Sequence, residues 1–305
     1  MTDWRSRTTT YPTREAWLEA RRTGIGGSDV PAILGLSPWA SPLDVWASKM
    51  GLDEERESTY SMRRGNHMES FIAEELASEA NAIQIARRFG SDDFAIVRDP
   101  LRDCLAYSPD ALIIDHEGVE VLGEWKSQIR SAAKWAEDVP EDVQAQVQHG
   151  MFVMDLPACY VACDLGNELA WKRIERDPSW ASEKMPLLLA WWDRHIVGEE
   201  APAPTSTDKD VLNRIYPEDF GASISLPVDF MDTAEDLERL KAQEKAIKAD
   251  IDAIENGVRA LMKDATTGVL PDGSGWTWKV QHRKEFVVKA SSSRVLRRFK
   301  AKGDK

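Results

Sequence analysis

The tripeptide Glu124-Trp125-Lys126 constrains this chain most. In an extended strand, side chains alternate between faces. Glu124 and Lys126 therefore share one face while Trp125 occupies the other. Fourteen residues upstream, Asp110 follows Pro109, whose ring stiffens a turn and fixes the direction of the carboxylate. Strand-like runs at 94–98, 104–107, 111–115 and 119–126 surround these residues, and 158–165 and 169–175 follow. Helical patterns flank them. They cover 12–22, a one-face pattern over 63–80 (Met68, Phe71, Ile72, Leu76), 130–137, 141–154 and 180–197. Ser28 is expected to cap a short helix ending near Gly35, and Ser41-Pro42 to open another through Trp46. Strands in the middle with helices on either side make an α/β (α+β) core, a central mixed sheet flanked by helices.

Asp110 and Glu124, with Glu69 from the preceding helix, form a hard-oxygen donor set suited to Mg²⁺, with Mn²⁺ as a substitute. Such an ion activates water and neutralises developing negative charge. Lys126 beside it is suited either to orient or to deprotonate that water. Each piece alone is ordinary: Ser-Pro-Asp is a common turn and Glu-x-Lys a common exposed strand pair.

Taken together and in order, the pieces resemble the YqaJ-type viral recombinase family, relatives of phage lambda exonuclease in the PD-(D/E)xK nuclease superfamily. The resemblance spans roughly 14–175. It runs through Trp17, Arg21-Arg22-Thr23-Gly24-Ile25-Gly26-Gly27-Ser28-Asp29 and Arg64-Gly65-Asn66-His67-Met68-Glu69. It continues through Ser108-Pro109-Asp110-Ala111, Gly123-Glu124-Trp125-Lys126-Ser127 and Ala145-Gln146-Val147-Gln148-His149-Gly150-Met151. The resemblance implies a PD-(D/E)xK restriction-endonuclease-like core in which Asp110, Glu124 and Glu69 bind metal and Lys126 is the catalytic lysine. Gln146 completes the site, or Gln148 if the helical register differs. Arg21, Gly27 and Ser28 then belong to a pocket for a 5′-terminal phosphate. Glycines let backbone amides approach an anion, a helix N-terminus attracts it, and arginine offers a charged fork. The implied activity is a 5′–3′ exonuclease on linear double-stranded DNA, leaving 3′ single strands for recombination. Its implied partners are a single-strand annealing protein and further copies of the chain in a homo-oligomer, often ring-shaped in the family. The chain departs from the family in having Ala111 where glycine is frequent, and Val143 and His149 where an aromatic side chain often stands.

Two other readings stay open. One is an endonuclease or single-strand-specific nuclease on the same fold; the other is a silent DNA-binding scaffold whose useful part is its C-terminal module. The terminal-phosphate segment argues against the first, and the intact Asp110, Glu124 and Lys126 against the second.

Charge is unevenly distributed. The net of −13 is carried by residues 1–200, at −14, while 201–305 stand at +1. From Lys279 to Lys305 ten basic residues face only Glu285 and Asp304, a tail suited to phosphate contacts or simply to solubility. Ala201–Thr207, rich in alanine and proline, is expected to link a domain at 1–200 to an accessory module at 208–305. In that module Leu237, Leu240, Ile247, Ile251, Ile254, Val258 and Leu261 keep a heptad register broken only by Glu244. This predicts a helix at about 233–263 that seeks a partner from this chain or a second copy. Pro271–Gly275 is expected to turn into a strand bearing Trp276, Trp278 and Val280. The three cysteines, Cys104, Cys159 and Cys163, form no disulfide framework and are expected to be buried small side chains. Trp39 and Trp135 are candidates for base stacking. The absence of a long apolar run or leader pattern predicts a soluble protein of the cytoplasm, off the membrane, and the family resemblance implies that the cytoplasm is that of a bacterial host.

Overall fold

The strand carrying Glu124 lies at the centre of a five-stranded sheet because it is apolar on both faces. In a computed structural model, residues 3–52, 59–80, 83–89, 93–129, 132–283, 285 and 294–298 are described. In chain order the first elements are β1 (Thr8–Tyr11), α1 (Arg14–Arg21), α2 (Val30–Ile33), α3 (Pro42–Lys49) and α4 (Tyr60–Glu79). Then come β2 (Gln84–Arg88), β3 (Phe94–Arg98), β4 (Ala106–Tyr107), β5 (Ala111–Ile114) and β6 (Glu120–Ser127). They are followed by α5 (Ala132–Trp135), α6 (Glu141–Met154), β7 (Ala158–Asp164), β8 (Leu169–Glu175), α7 (Pro178–Trp192) and α8 (Lys209–Ile215).

The sheet order is β2-β5-β6-β7-β8, antiparallel except for the parallel pair β6–β7. This is the mixed sheet with flanking helices that the sequence predicts. The β5–β6 hairpin closes through Asp115, whose carboxylate accepts from the Glu117 and Val119 amides, and through Gly118 at φ 77°. A parallel pair needs a crossover connection, and α5 and α6 supply it.

Alternation then sorts the side chains. Leu112, Leu122, Cys159, Val161 and Cys163 pack on one face beneath Val143, Val147 and Met151 of α6, in a core that also takes in α2, α3 and α7. Ala111, Ile113, Val121, Trp125, Tyr160 and Ala162 fill the other face against Ile72, Ala73 and Leu76 of α4. Phe71, expected on that stripe, is exposed. Cys159 and Cys163 are buried, Cys104 is half-buried, and all three are free thiols.

A separate three-stranded sheet, β1-β3-β4, lies outside the central one. Ile25 bridges to Leu105 beside β4 and so anchors the glycine-rich segment. The strands β1 and β2 were not expected. Their sequences, Thr-Thr-Thr-Tyr and Gln-Ile-Ala-Arg-Arg, are polar, and each forms at a sheet edge where pairing rather than burial supports it.

The chain divides into compact units at Met1–Pro217 and Glu218–Lys305, later than the Ala201–Thr207 boundary. The reason is α8. Val211 is buried, Leu212 and Ile215 pack on the large core, and Arg214 Nη2 reaches Asp44 Oδ1 on α3 at 2.7 Å. Pro202 is also buried although Ala201 and residues 203–207 are exposed, so this segment is a surface connection within the first unit.

In the second unit, α9 (Phe230–Met262) spans 33 residues, and β9 (Thr267–Val269) pairs antiparallel with β10 (Gly275–Thr277). Trp276 lies on β10, while Trp278 and Val280 lie beyond it. Leu237, Leu240, Ile247, Ile251, Ile254 and Leu261 are exposed along α9. Of the basic tail, residues 284, 286–293 and 299–305 lie outside the described residues. No helix among the described residues is long and apolar enough to cross a membrane.

Two truncations test this boundary. A chain ending at Pro217 should melt cooperatively. One ending at Thr207 loses the burial of Val211 and its neighbours and should be less stable by roughly 3 kcal/mol in urea denaturation. Equal stability would remove α8 from the first unit.

Candidate active site

Glu124 is 2 % exposed, and a carboxylate that deep requires donors. Three converge on it. Tyr107 Oη donates to Oε2 at 2.6 Å, Lys126 Nζ to Oε1 at 2.6 Å and Gln146 Nε2 to Oε1 at 2.5 Å. Lys126 Nζ also donates to Gln146 Oε1 at 2.9 Å, closing a three-residue ring of hydrogen bonds. The sheet explains the arrangement: Glu124 and Lys126 continue the face of Leu122, over which α6 runs, so a side chain from α6 meets them. That side chain is Gln146. Gln148 faces elsewhere, donating to the Glu175 carbonyl at 2.8 Å and accepting from the Asp177 amide at 2.9 Å.

Tyr107 was not foreseen. Its ring lies between two glycines: a Cβ on Gly27 would fall 2.5 Å from Cε2, and one on Gly150 would fall 2.5 Å from Cζ. Gly150 is the readable signal. Glycine inside a helix costs about 1 kcal/mol relative to alanine, and its presence in the middle of α6 marks a close approach.

Asp110 follows Pro109 at the start of β5, and its Oδ2 accepts from the Trp125 amide at 2.8 Å. Burial, then the charge of Glu124, pushes the Asp110 carboxyl well above the usual carboxylate range. Glu69, on α4, is raised to about 7 by burial and by Glu124. Burial opposes the Lys126 ammonium, but Glu124 and Asp110 outweigh it and keep the group charged. At the other end of the cluster, Arg64 ties α4 to the ends of β6 and β7. It donates to Ser127 Oγ and, at 2.7 Å, to Asp164 Oδ2.

Asp110, Glu124 and Glu69 are therefore three carboxylates around one ammonium, short of positive charge. Their oxygen chemistry fits a hard divalent cation. As they stand, no three His, Cys, Asp or Glu side chains among the described residues are gathered tightly enough to hold an ion, and Lys126 and Gln146 take Glu124 Oε1. The fit rests on donor type and charge.

A single cleft of about 540 Å³ is lined by Glu69, Asp110 and Gln146 together with Arg21, Gly27 and Ser28. The expected anion pocket and two of the three carboxylates, Glu69 and Asp110, thus share one opening. Its chemistry differs in part from expectation. Ser28 caps no helix: α2 begins at Val30 and is a single turn, too short to attract an anion through its dipole. The Gly26 amide is taken by Asp29 Oδ2 at 2.7 Å. Gly27 is required by the Tyr107 ring, and Gly24 by Arg98, Cys104 and Ala106, each within 3.2 Å of where its Cβ would stand. Of the expected pocket residues, the side chains that line the cleft are the Arg21 guanidinium, 4.6 Å above the Trp17 ring, and the Ser28 hydroxyl, 2.9 Å from Arg21 Nη2.

Of the two stacking candidates, Trp39 is 74 % exposed. Trp135 is buried in the core and donates to Gln128 Oε1, so it is unavailable to a base. His149 is fully buried against the Ala106 carbonyl, and Val143 is core.

Residues 16–157 match the family described as a YqaJ-like viral recombinase domain. The uncharacterized protein YqaJ of Bacillus subtilis (strain 168) is 29 % identical over 269 residues, covering 84 % of this chain and 81 % of that protein. Among solved structures, the alkaline exonuclease LHK-Exo from Laribacter hongkongensis shares 19 % identity at a TM-score of 0.47. LHK-Exo in complex with dAMP shares 18 % at 0.48, and each alignment covers 60 % of this chain and 93 % of the other. The family match supports a nuclease.

Two predictions follow from the buried charges. With its pKa raised from 4.5 to about 7, Glu69 favours the folded state when protonated. That stability is complete below about pH 4.5 and is lost as pH rises towards 7. In metal-free buffer, Glu69→Gln should flatten the fall in Tm between pH 5 and 7, and parallel curves would take Glu69 out of the cluster. Tyr107→Phe removes a donor from a buried carboxylate and should cost about 1–3 kcal/mol in chemical denaturation.

Proposed function

We propose, from a YqaJ-like viral recombinase domain over residues 16–157, that this chain is a metal-dependent exonuclease acting on linear double-stranded DNA. It enters at 5′-phosphorylated ends, degrades that strand in the 5′–3′ direction and leaves 3′ single strands for recombination. One observation carries this reading: Glu69, Asp110 and Gln146 of the cluster open into the same cleft as the Arg21–Ser28 pair, so a terminal phosphate and the next phosphodiester can lie in one site. An endonuclease has no use for a terminal-phosphate contact.

Asp110, Glu124 and Glu69 are the residues that would hold Mg²⁺, or Mn²⁺ in its place. When bound, the ion would supply Lewis-acid activation of water and of the scissile phosphate. The remaining work falls to the chain. Lys126, held as an ammonium by Glu124 and Gln146, offers positive charge where the pentacoordinate phosphate becomes more negative. Its charged state favours stabilising that charge over removing a proton from water. Gln146 fixes Glu124 and Lys126 relative to each other, and Tyr107 restrains the second Glu124 oxygen. Arg21 and Ser28 bind the terminal phosphate by charge-assisted hydrogen bonds.

By the same reading the partners are DNA ends and a single-strand annealing protein, and the chain works as a homo-oligomer in a bacterial cytoplasm. The exposed apolar seam of α9 is available for such contacts.

The test is Mg²⁺-dependent digestion of a 5′-phosphorylated linear duplex beside a covalently closed circle of the same sequence. Loss of the linear DNA alone, with mononucleotides released, is expected; cutting of the circle would make the chain an endonuclease. Lys126→Ala should slow the reaction about 10²–10³-fold without unfolding the protein. Arg21→Ala should reduce the preference for 5′-phosphate over 5′-hydroxyl ends by about 10- to 100-fold.

A further inference from the structure

Arg21 lies beside a buried ion pair that neither the motif reading nor the proposed reaction uses. Asp29, next to Ser28, turns its carboxylate inward so that Oδ2 accepts from the Gly26 amide at 2.7 Å and lies 2.6 Å from Lys49 Nζ. Lys49 is the last residue of α3, and its side chain is 6 % exposed. Its ammonium also donates to the Arg21 carbonyl at 2.8 Å. One buried lysine thus joins the end of α3, the end of α1 and the carboxylate beneath the glycine turn.

The arrangement decides what Arg21 pairs with. The Asp29 carboxylate and the Arg21 guanidinium flank the same point: a Cβ on Gly26 would lie 3.4 Å from Asp29 Oδ2 and 3.8 Å from Arg21 Nη2. Arginine is the side chain best shaped to grip a carboxylate, so an uncompensated Asp29 would capture it. Arg98, a further cation close to Lys49, is committed. Its two terminal nitrogens donate to the Ala20, Thr23 and Asp103 carbonyls and to Thr23 Oγ1. Lys49 satisfies Asp29 from the buried side. Arg21 is left stacked on Trp17 and bonded to a neutral hydroxyl, its charge directed into the cleft.

We propose that Lys49 is a positioning residue for terminal-phosphate selectivity: by neutralising Asp29 it keeps Arg21 free to bind the 5′-phosphate. This inference rests on the phosphate pocket proposed above. Of the three charges gathered here, Arg21, Lys49 and Asp29, it assigns contact with the DNA to Arg21.

The experiment compares kcat and KM on 5′-phosphorylated and 5′-hydroxyl duplex ends for the full chain and three variants. Lys49→Met should reduce the preference for 5′-phosphate about tenfold or more, through a higher KM on phosphorylated ends with kcat retained. The double variant Asp29→Asn/Lys49→Met leaves no carboxylate to capture Arg21 and should recover most of the preference. Lys49→Gln keeps a hydrogen bond to Asp29 without the charge and serves if the Met variant fails to fold. It should lose the preference as well. A folded Met or Gln variant with wild-type preference overturns the role of Lys49 and leaves the pocket standing. A folded double variant no better than the single also overturns it. A wild type that treats both ends alike removes the pocket itself.

Discussion

The buried carboxylate of Glu124 is the constraint on which the rest of the site depends. An ionised group at that depth is tolerated only with several donors around it, and here each comes from a different part of the fold. Lys126 shares its strand, Gln146 descends from the crossover helix, and Tyr107 reaches in from the small sheet. Satisfying one charge therefore fixes β6, α6 and β4 relative to one another. The glycines follow from this: Gly27 and Gly150 are small because the Tyr107 ring must pass between them to reach Glu124.

Around that point the site is deliberately unbalanced in charge. Burial and the nearness of Glu124 drive Glu69 and Asp110 each towards its neutral form, with Lys126 offsetting them in part. Such crowding weakens a fold that holds no cation and strengthens its attraction for one. In the proposed phosphate pocket the balance around Asp29 is the opposite, with Lys49 and Arg21 both acting on that one carboxylate. Negative and positive ends of one cleft suit a cation and a terminal phosphate bound side by side.

Much of this was legible in the sequence because it is local. The period-two pattern of 119–126 identifies the strand, sends Trp125 to the α4 face and puts Glu124 with Lys126. The Ser41-Pro42 signal gives the start of α3, and Leu169–Glu175 forms a strand over the run expected. What failed was local inference carried beyond its reach. Ser28 resembles a cap, but its hydroxyl turns to Arg21 and the helix begins later. Trp135 reads as a surface aromatic, yet it packs into the core. The alanine–proline segment reads as a linker, yet α8 beyond it docks on α3.

The sequence by itself determined which side chains share a face and which chemistry they bring, since those follow from backbone period and residue type. Only the tertiary structure decided between Gln146 and Gln148, brought in Tyr107, and paired Lys49 at the end of α3 with Asp29 at the start of α2. Those choices depend on how helices cross a sheet and which buried charges must be satisfied. Neither is recorded in any short stretch of residues.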